Sequence, residues 1–174
     1  MNKPEMFSPN SQEAKDIAYH MHPYTNPAML AEQGPMIINK GKGVFVYDSE
    51  GKDYIEGLAG LWCASFGFSE TELVKAATKQ MQELPFYHSF TAKTHNPAIN
   101  LAEKLIKAAP DGLDKVFFCN SGSEANDTAI KMVWYYHAAI GKPEKRKVIS
   151  RKRGYHGVTL AASSLTALPY VQQG

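Results

Sequence analysis

Four residues, Asn120-Ser121-Gly122-Ser123, join a short apolar run to a long amphipathic one, and their types suit anion binding. Gly122 lets the backbone approach a ligand closely. Ser121 and Ser123 add hydroxyls. If the chain is helical from Glu124 onward, the first helical amides lack partners, and the helix dipole favours a negative charge beside them. A phosphate dianion could be held there without any basic side chain. The pattern is neither a P-loop nor GxGxxG, which argues against a nucleotide. The same residues also suit a plain helix start, with Ser123 as the cap and Gly122 relieving the turn.

The elements around this turn are legible as a βαβ unit. Lys115-Val116-Phe117-Phe118-Cys119 is a nearly continuous apolar run, as expected of a parallel strand covered on both faces. Ala125, Ala129, Met132, Val133, Tyr136 and Ile140 make a helical stripe that Gly141-Lys142-Pro143 stops. Lys147-Val148-Ile149-Ser150 reads as the next strand. In such a sheet, ligands bind beyond the carboxyl ends of the strands, where the turn lies.

Upstream, Pro23, Pro27 and Pro35 break any long helix. Gly43–Asp48 and Asp53–Glu56 read as strands joined by Asp48-Ser49-Glu50-Gly51, a hairpin. Leu73, Ala76, Ala77, Met81 and Leu84 repeat at helical spacing, with Ser69 or Thr71 as N-cap and Pro85 as the stop. Ala98, Ala102, Leu105, Ile106 and Ala109 repeat likewise, with Asn96 as N-cap and Pro97 first in the helix. Trp62, in a loop flanked by glycines, is either the wall of an apolar pocket or ordinary core. Trp134, Tyr135, Tyr136 and Met132 are expected to pack.

The 174 residues are 44% hydrophobic and 21% charged with a net charge of +2, the balance of a soluble globular chain. Lys142, Lys145, Arg146, Lys147, Arg151, Lys152 and Arg153 form one local basic cluster. A solvated face accounts for it, so no nucleic-acid partner is expected. Cys63 and Cys119 are far apart and form no CxxC, which fits two small buried residues in a reducing cytoplasm. Neither a signal peptide nor a membrane span is expected, and no metal site.

Several stretches together resemble the pyridoxal-phosphate-dependent class III aminotransferases. Asn120–Asp127, read Asn-Ser-Gly-Ser-Glu-Ala-Asn-Asp, is similar to that family's phosphate-cup motif. Arg153-Gly154-Tyr155-His156-Gly157 resembles the aromatic segment that follows it. Gly60-Leu61-Trp62 with Gly67-Phe68 resembles a substrate-pocket loop, and Leu84–Phe90 resembles a segment reaching the dimer interface. His22-Pro23-Tyr24-Thr25-Asn26 is similar to the start of the amine– or ω-amino-acid–pyruvate branch.

The resemblance implies an α/β fold: an incomplete fold-type I large domain, with a parallel-rich sheet and helices on both faces. A small-domain segment bearing the hairpin would precede it, with residues 1–60 in the first part and 61–174 in the second. It implies that Ser121, Gly122 and Ser123 hold the cofactor phosphate, that Tyr155 stacks on the pyridine ring, and that His156 lines its surroundings. Glu124 would help position the ring's partner, or serve only as a first-turn acid. Trp62, Tyr24, Tyr87 and Phe90 would wall the substrate pocket. The expected activity is transfer of an amino group from an amine or ω-amino acid to a keto acid such as pyruvate, in a homodimer. No catalytic residue is assigned, because the family's cofactor-bearing lysine, its ring-nitrogen acid and its carboxylate-gripping arginine fall downstream of Gly174. Two other readings share these motifs: a non-catalytic remnant binding a phosphate-bearing ligand or a full-length subunit, and a racemase or aminomutase. The isolated chain is expected to be inactive and poorly soluble.

Overall fold

A computed structural model describes residues 7–172. The chain divides into two compact units, one running to Tyr87 and the other from His88.

The first unit opens with two short helices, each with a side-chain cap. In α1 (Gln12–Tyr19) Ser11 accepts from the Ala14 amide at 3.1 Å. In α2 (Pro27–Gln33) Asn26 accepts from Ala28 and Met29, with Pro27 at the first position and Gly34 at the C-cap. Neither helix was anticipated, because an eight- and a seven-residue segment between prolines carry little periodicity.

A three-stranded antiparallel sheet follows, in the order β1 (Ile38–Lys42), β2 (Phe45–Asp48), β3 (Asp53–Ile55). The hairpin is where the sequence placed it, and β1 is an additional edge strand with an irregular register between Ile38 and Lys40. Asp48 closes the β2–β3 turn. One carboxylate oxygen accepts from the amides of Glu50 and Lys52, at 3.0 and 2.9 Å, and the other accepts from the Tyr54 hydroxyl at 2.8 Å. After a left-handed turn, α3 (Ala59–Trp62), the chain returns so that Gly43 and Phe68 exchange backbone hydrogen bonds. Helix α4 (Thr71–Glu83) is capped by Glu70. The expected cap Ser69 instead has φ +62° and donates to the Gly41 carbonyl.

The second unit contains α5 (Asn96–Ala108), α6 (Gly122–Ala139), α7 (Leu160–Leu165) and a 3-10 turn (Pro169–Val171). Helix α5 begins one residue earlier than expected, with His95 as the cap and Asn96 already helical.

The expected parallel sheet is not present among the described residues. Neither 115–119 nor 147–150 forms a strand. The physical reason is that a strand exists through its ladder, and no described segment pairs with either of these. Their apolar side chains stand open instead, with Phe117 65% and Ile149 96% exposed. The fold is therefore mixed α/β, with one small antiparallel sheet.

The helical stripes are likewise formed but uncovered. Met132, Tyr135 and Tyr136 are exposed, and Trp134 is anchored only by its indole donating to the Arg146 carbonyl at 2.9 Å. Cys63 is exposed and Cys119 half-buried, both as free thiols, so the expectation of two buried cysteines is corrected. The surface area is 15004 Å² for 19.3 kDa. A folded monomer of that mass exposes about 8,500 Å². Val46 and Ala162 are the buried apolar residues among those described. No helix among the described residues is long and apolar enough to cross a membrane.

Candidate functional site

The start of α6 is built by its own side chains. Ser121 is the N-cap, in extended backbone, and its hydroxyl oxygen accepts from the Glu124 amide at 3.2 Å. Glu124 reaches back, and its carboxylate accepts from both the amide and the side-chain NH2 of Asn120, at 3.0 and 3.1 Å. This is a variant of the capping box, shifted by one residue at the return contact. The cap is thus Ser121, and not Ser123 as a plain reading of the turn allowed. Glu124 ties the turn together.

The Ala125 amide returns to the Ser121 carbonyl. Of the first-turn amides, those of Gly122 and Ser123 have no acceptor among the described residues. Both sit at the positive end of an 18-residue helix. A Cβ placed on Gly122 would meet nothing within 4 Å. No described protein atom requires glycine there.

A second segment is fastened onto this turn. The Ser123 hydroxyl oxygen accepts from the Val158 amide at 3.0 Å, leaving its own hydrogen to donate. Asn126 donates to the His156 carbonyl at 2.6 Å. Asp127 accepts from the Thr159 hydroxyl at 2.8 Å and from the Ala162 amide at 2.9 Å, so a carboxylate on α6 caps α7. Thr166 is fully buried; its hydroxyl oxygen accepts from the His156 amide at 2.9 Å. Arg153 and Gly154 pair with Ala167 through backbone bonds of 3.0 Å.

Gly157 is what allows this closeness. Its φ is +128°, and a Cβ there would lie 2.4 Å from the Ser123 hydroxyl oxygen and 2.8 Å from the Ser123 Cα. The clasp holds Tyr155, 56% exposed, in the loop beside the α6 turn. His156 Nε2 is buried with no partner among the described residues.

The structure therefore brings together Ser121, Gly122, Ser123 and Glu124 with the segment carrying Tyr155 and His156. Sequence reasoning took Asn126 and Asp127 only as part of the motif, with no role of their own, and missed Thr159 and Thr166. A signal was present: Ser123, Asn126 and Asp127 are polar residues at helical i, i+3 and i+4 spacing, hence on one face. An open groove of about 410 Å³ runs along α6, its walls including Phe118, Asn120, Glu124, Asp127 and Lys131. Gly122 and Tyr155 do not line it, so it is a different feature from the free amides.

Matching this arrangement, the family model for class-III aminotransferases fits residues 28–173. The chain belongs to the class-III aminotransferases. It is 58% identical to the omega transaminase of Pseudomonas jessenii, solved in complex with PMP, with a TM-score of 0.92 over 94% of this chain and 36% of that one. It is 46% identical to the mitochondrial gamma-aminobutyrate transaminase 1 of Oryza sativa subsp. japonica, over 94% of this chain and 32% of that protein. It is 50% identical to the vanillin aminotransferase of Capsicum frutescens, over 82% of this chain and 31% of that protein. The chain thus spans about a third of the length of the relatives it matches.

For an aminotransferase, the residues present fit pyridoxal phosphate. Two amides at the helix start have no acceptor among the described residues, and an orphaned buried histidine nitrogen stands in the segment clasped beside them. The remaining expected pocket residues fall in both units. Tyr24, Trp62 and Tyr87 belong to the first unit, and Phe90 to the second. Tyr24 has φ +52° and lines an open groove of about 420 Å³ with His22, Met29 and Met36, and Trp62 is not among its walls. Trp62 is 76% exposed and sits in four consecutive left-handed residues, with φ +50° at Ala59, +59° at Gly60 and Leu61, and +67° at Trp62. Left-handed backbone costs about 1–2 kcal/mol per non-glycine residue. The turn is held by the Trp62 amide donating to the Leu58 carbonyl at 2.8 Å, and by the Cys63 and Ala64 amides donating to the Ala59 carbonyl.

Proposed function

We propose that this chain serves as the amino-terminal third of a transaminase that moves an amino group from an amine or ω-amino acid to a keto acid such as pyruvate. The observation that carries the reading is the pair of unpaired amides on Gly122 and Ser123, beside the clasped Tyr155–His156 segment. When bound, pyridoxal phosphate supplies an electron sink for the substrate carbon. The chain's own residues bind and orient it. The Gly122 and Ser123 amides and the Ser123 hydroxyl hydrogen hold the phosphate dianion, with the α6 dipole adding to the attraction. Tyr155 orients the ring by stacking, and the clasp fixes where that ring can sit. His156 Nε2 offers a polar atom to the same surroundings.

Trp62 and Phe90 are proposed to set which amines fit in the complete enzyme. Related thermostable omega transaminase variants engineered for asymmetric synthesis of enantiopure bulky amines replace a tryptophan and, in one of them, also a phenylalanine. Those two positions are separated by the same interval as Trp62 and Phe90. The left-handed backbone at Trp62 adds support, because strained turns concentrate at functional sites. Tyr24 and Tyr87 are proposed as further walls. Homodimerisation and a cytoplasmic location complete the reading, and the large uncovered apolar surface supports association with more polypeptide.

The test is the Gly122→Ala substitution in the complete enzyme, read by pyridoxal phosphate affinity together with turnover of ω-amino acids and aryl amines against pyruvate. Folding should be unaffected, since nothing lies within 4 Å of the new Cβ. Cofactor affinity should fall at least about tenfold, because the added methyl group hinders the close backbone approach that glycine allows. Unchanged affinity would remove the phosphate assignment.

A further inference from the structure

Helix α1 carries Asp16 on its last turn, and His20 follows one turn later at the C-cap. His22 comes two residues further on, where the chain has left the helix. His20 Nδ1 lies 2.9 Å from one oxygen of the Asp16 carboxylate, and His22 Nε2 lies 2.6 Å from the other. The two rings are 4.4 Å apart, centre to centre, and inclined by 43°. One ligating atom from each of the three residues lies within 4.8 Å of the others.

We propose that Asp16, His20 and His22 form a binding site for a divalent transition-metal ion of the Zn²⁺ type. Two imidazoles and one carboxylate are a donor set suited to such ions, with the remaining position left to water. At metal–ligand bonds of about 2.0–2.1 Å, tetrahedral donor atoms stand about 3.3 Å apart. Around one ion, the short nitrogen–oxygen gap to the ligating oxygen opens by less than about 1 Å, and the wider donor separations, all within 4.8 Å, close toward that spacing. Access exists: His20, Met21 and His22 line an open groove of about 350 Å³ with Ile17, Thr25 and Leu30. The donors are partly ordered in advance, since Asp16 and His22 are only 20% and 26% exposed, although His20 is 62% exposed. An incoming ion replaces the protons shared between the rings and the carboxylate and releases them to solvent. The site departs from the sequence expectation of no metal. Asp16 and His20 keep helical i, i+4 spacing, but His22 lies beyond the helix end, so no helical pattern announces all three.

The experiment titrates Zn²⁺, and separately Co²⁺, into the full chain purified without a histidine tag. Calorimetry should give one ion per chain, and Co²⁺ should give a visible absorption band from nitrogen and oxygen ligands. His20→Gln and His22→Gln should each weaken Zn²⁺ binding by at least about tenfold. A second measurement needs no variant. Zn²⁺ should protect His20 and His22 from diethylpyrocarbonate, read by peptide mass spectrometry, while leaving His95 as reactive as before. Absence of Zn²⁺ binding to the wild-type chain, binding that survives both substitutions, or equal modification with and without Zn²⁺ would each overturn the proposal.

Discussion

Asp48 and Asp127 are both half-buried carboxylates that close a structure by accepting several hydrogen bonds, yet they do so over very different distances. Asp48 takes its donors from residues two, four and six positions onward. Asp127 takes its donors from 32 and 35 positions away. The first closes a hairpin that its neighbours already favour. The second fastens two segments that have no local reason to meet, and with them the residues proposed to hold a cofactor. Local closure reports on propensity, whereas distant closure reports on what the fold must position.

The sharpest way to break the distant clasp is Gly157→Ala. The new Cβ would lie 2.4 Å from the Ser123 hydroxyl oxygen, with the backbone at φ +128°. Strain and overpacking together should cost about 3 kcal/mol or more. Hydrogen exchange across residues 153–167 should accelerate accordingly, and cofactor affinity should fall with it. Protection equal to that of the wild type would mean that the close approach is dispensable.

Next in size is Asp127→Ala. It strands the Ala162 amide and leaves the Thr159 hydroxyl only the Ser123 carbonyl at 3.4 Å, where the two donors now share one carboxylate oxygen. Hydrogen bonds to a charged acceptor contribute about 1.5–3 kcal/mol each, so a loss of about 2 kcal/mol is expected at this partly exposed position. Exchange at α7 should rise while the β2–β3 hairpin is untouched. If both regions loosened equally, the clasp would not be a separate unit of stability.

The same contrast explains what the sequence made legible. Asp48-Ser49-Glu50-Gly51 could be read as a turn because every partner lies within a few residues, and the hairpin stands where it was expected. The α6 start was legible for the same reason, although the cap moved from Ser123 to Ser121 once Glu124 was seen reaching back to Asn120. The fastening roles of Asn126, Asp127 and Thr166 could not be read because their partners are 30, 35 and 10 residues away. The segments 115–119 and 147–150 were misread as paired strands, because apolarity records that a segment is destined for burial but not which neighbour will cover it. The family was the most legible feature of all, because it rests on short motifs in a fixed order and needs no single long-range contact.

The hairpin supplies the third and smaller test. Asp48→Ala removes the acceptor for the Glu50 and Lys52 amides, but the backbone bonds between Asp48 and Gly51 and between Asp48 and Lys52 remain. The hairpin should therefore loosen less than α7 does after Asp127→Ala, and exchange at residues 45–55 compared between the two variants measures this directly. A larger effect at the hairpin would reverse the ranking drawn between local and distant closure.

Acid gives the smallest and most specific test. The Asp48 carboxyl is held below its ordinary value of 3.8, first by the hydrogen bond from the Tyr54 hydroxyl and then by the Lys52 and Glu50 amides, against the opposing effect of burial. A carboxyl whose value is lowered by folding contributes stability that is fully present above its unfolded value. That stability is lost as the pH falls through the lowered one. The hairpin should therefore hold at neutral pH and loosen only as the solution becomes more acidic than 3.8, the ordinary carboxyl value. Tyr54→Phe removes the first cause and should move the Asp48 titration, followed by carboxyl-carbon NMR, back toward 3.8 while leaving the two amide bonds in place. A titration that did not respond to Tyr54→Phe would show that the amides alone set the carboxylate's affinity for protons, and the hairpin's closure would then be local to the turn itself.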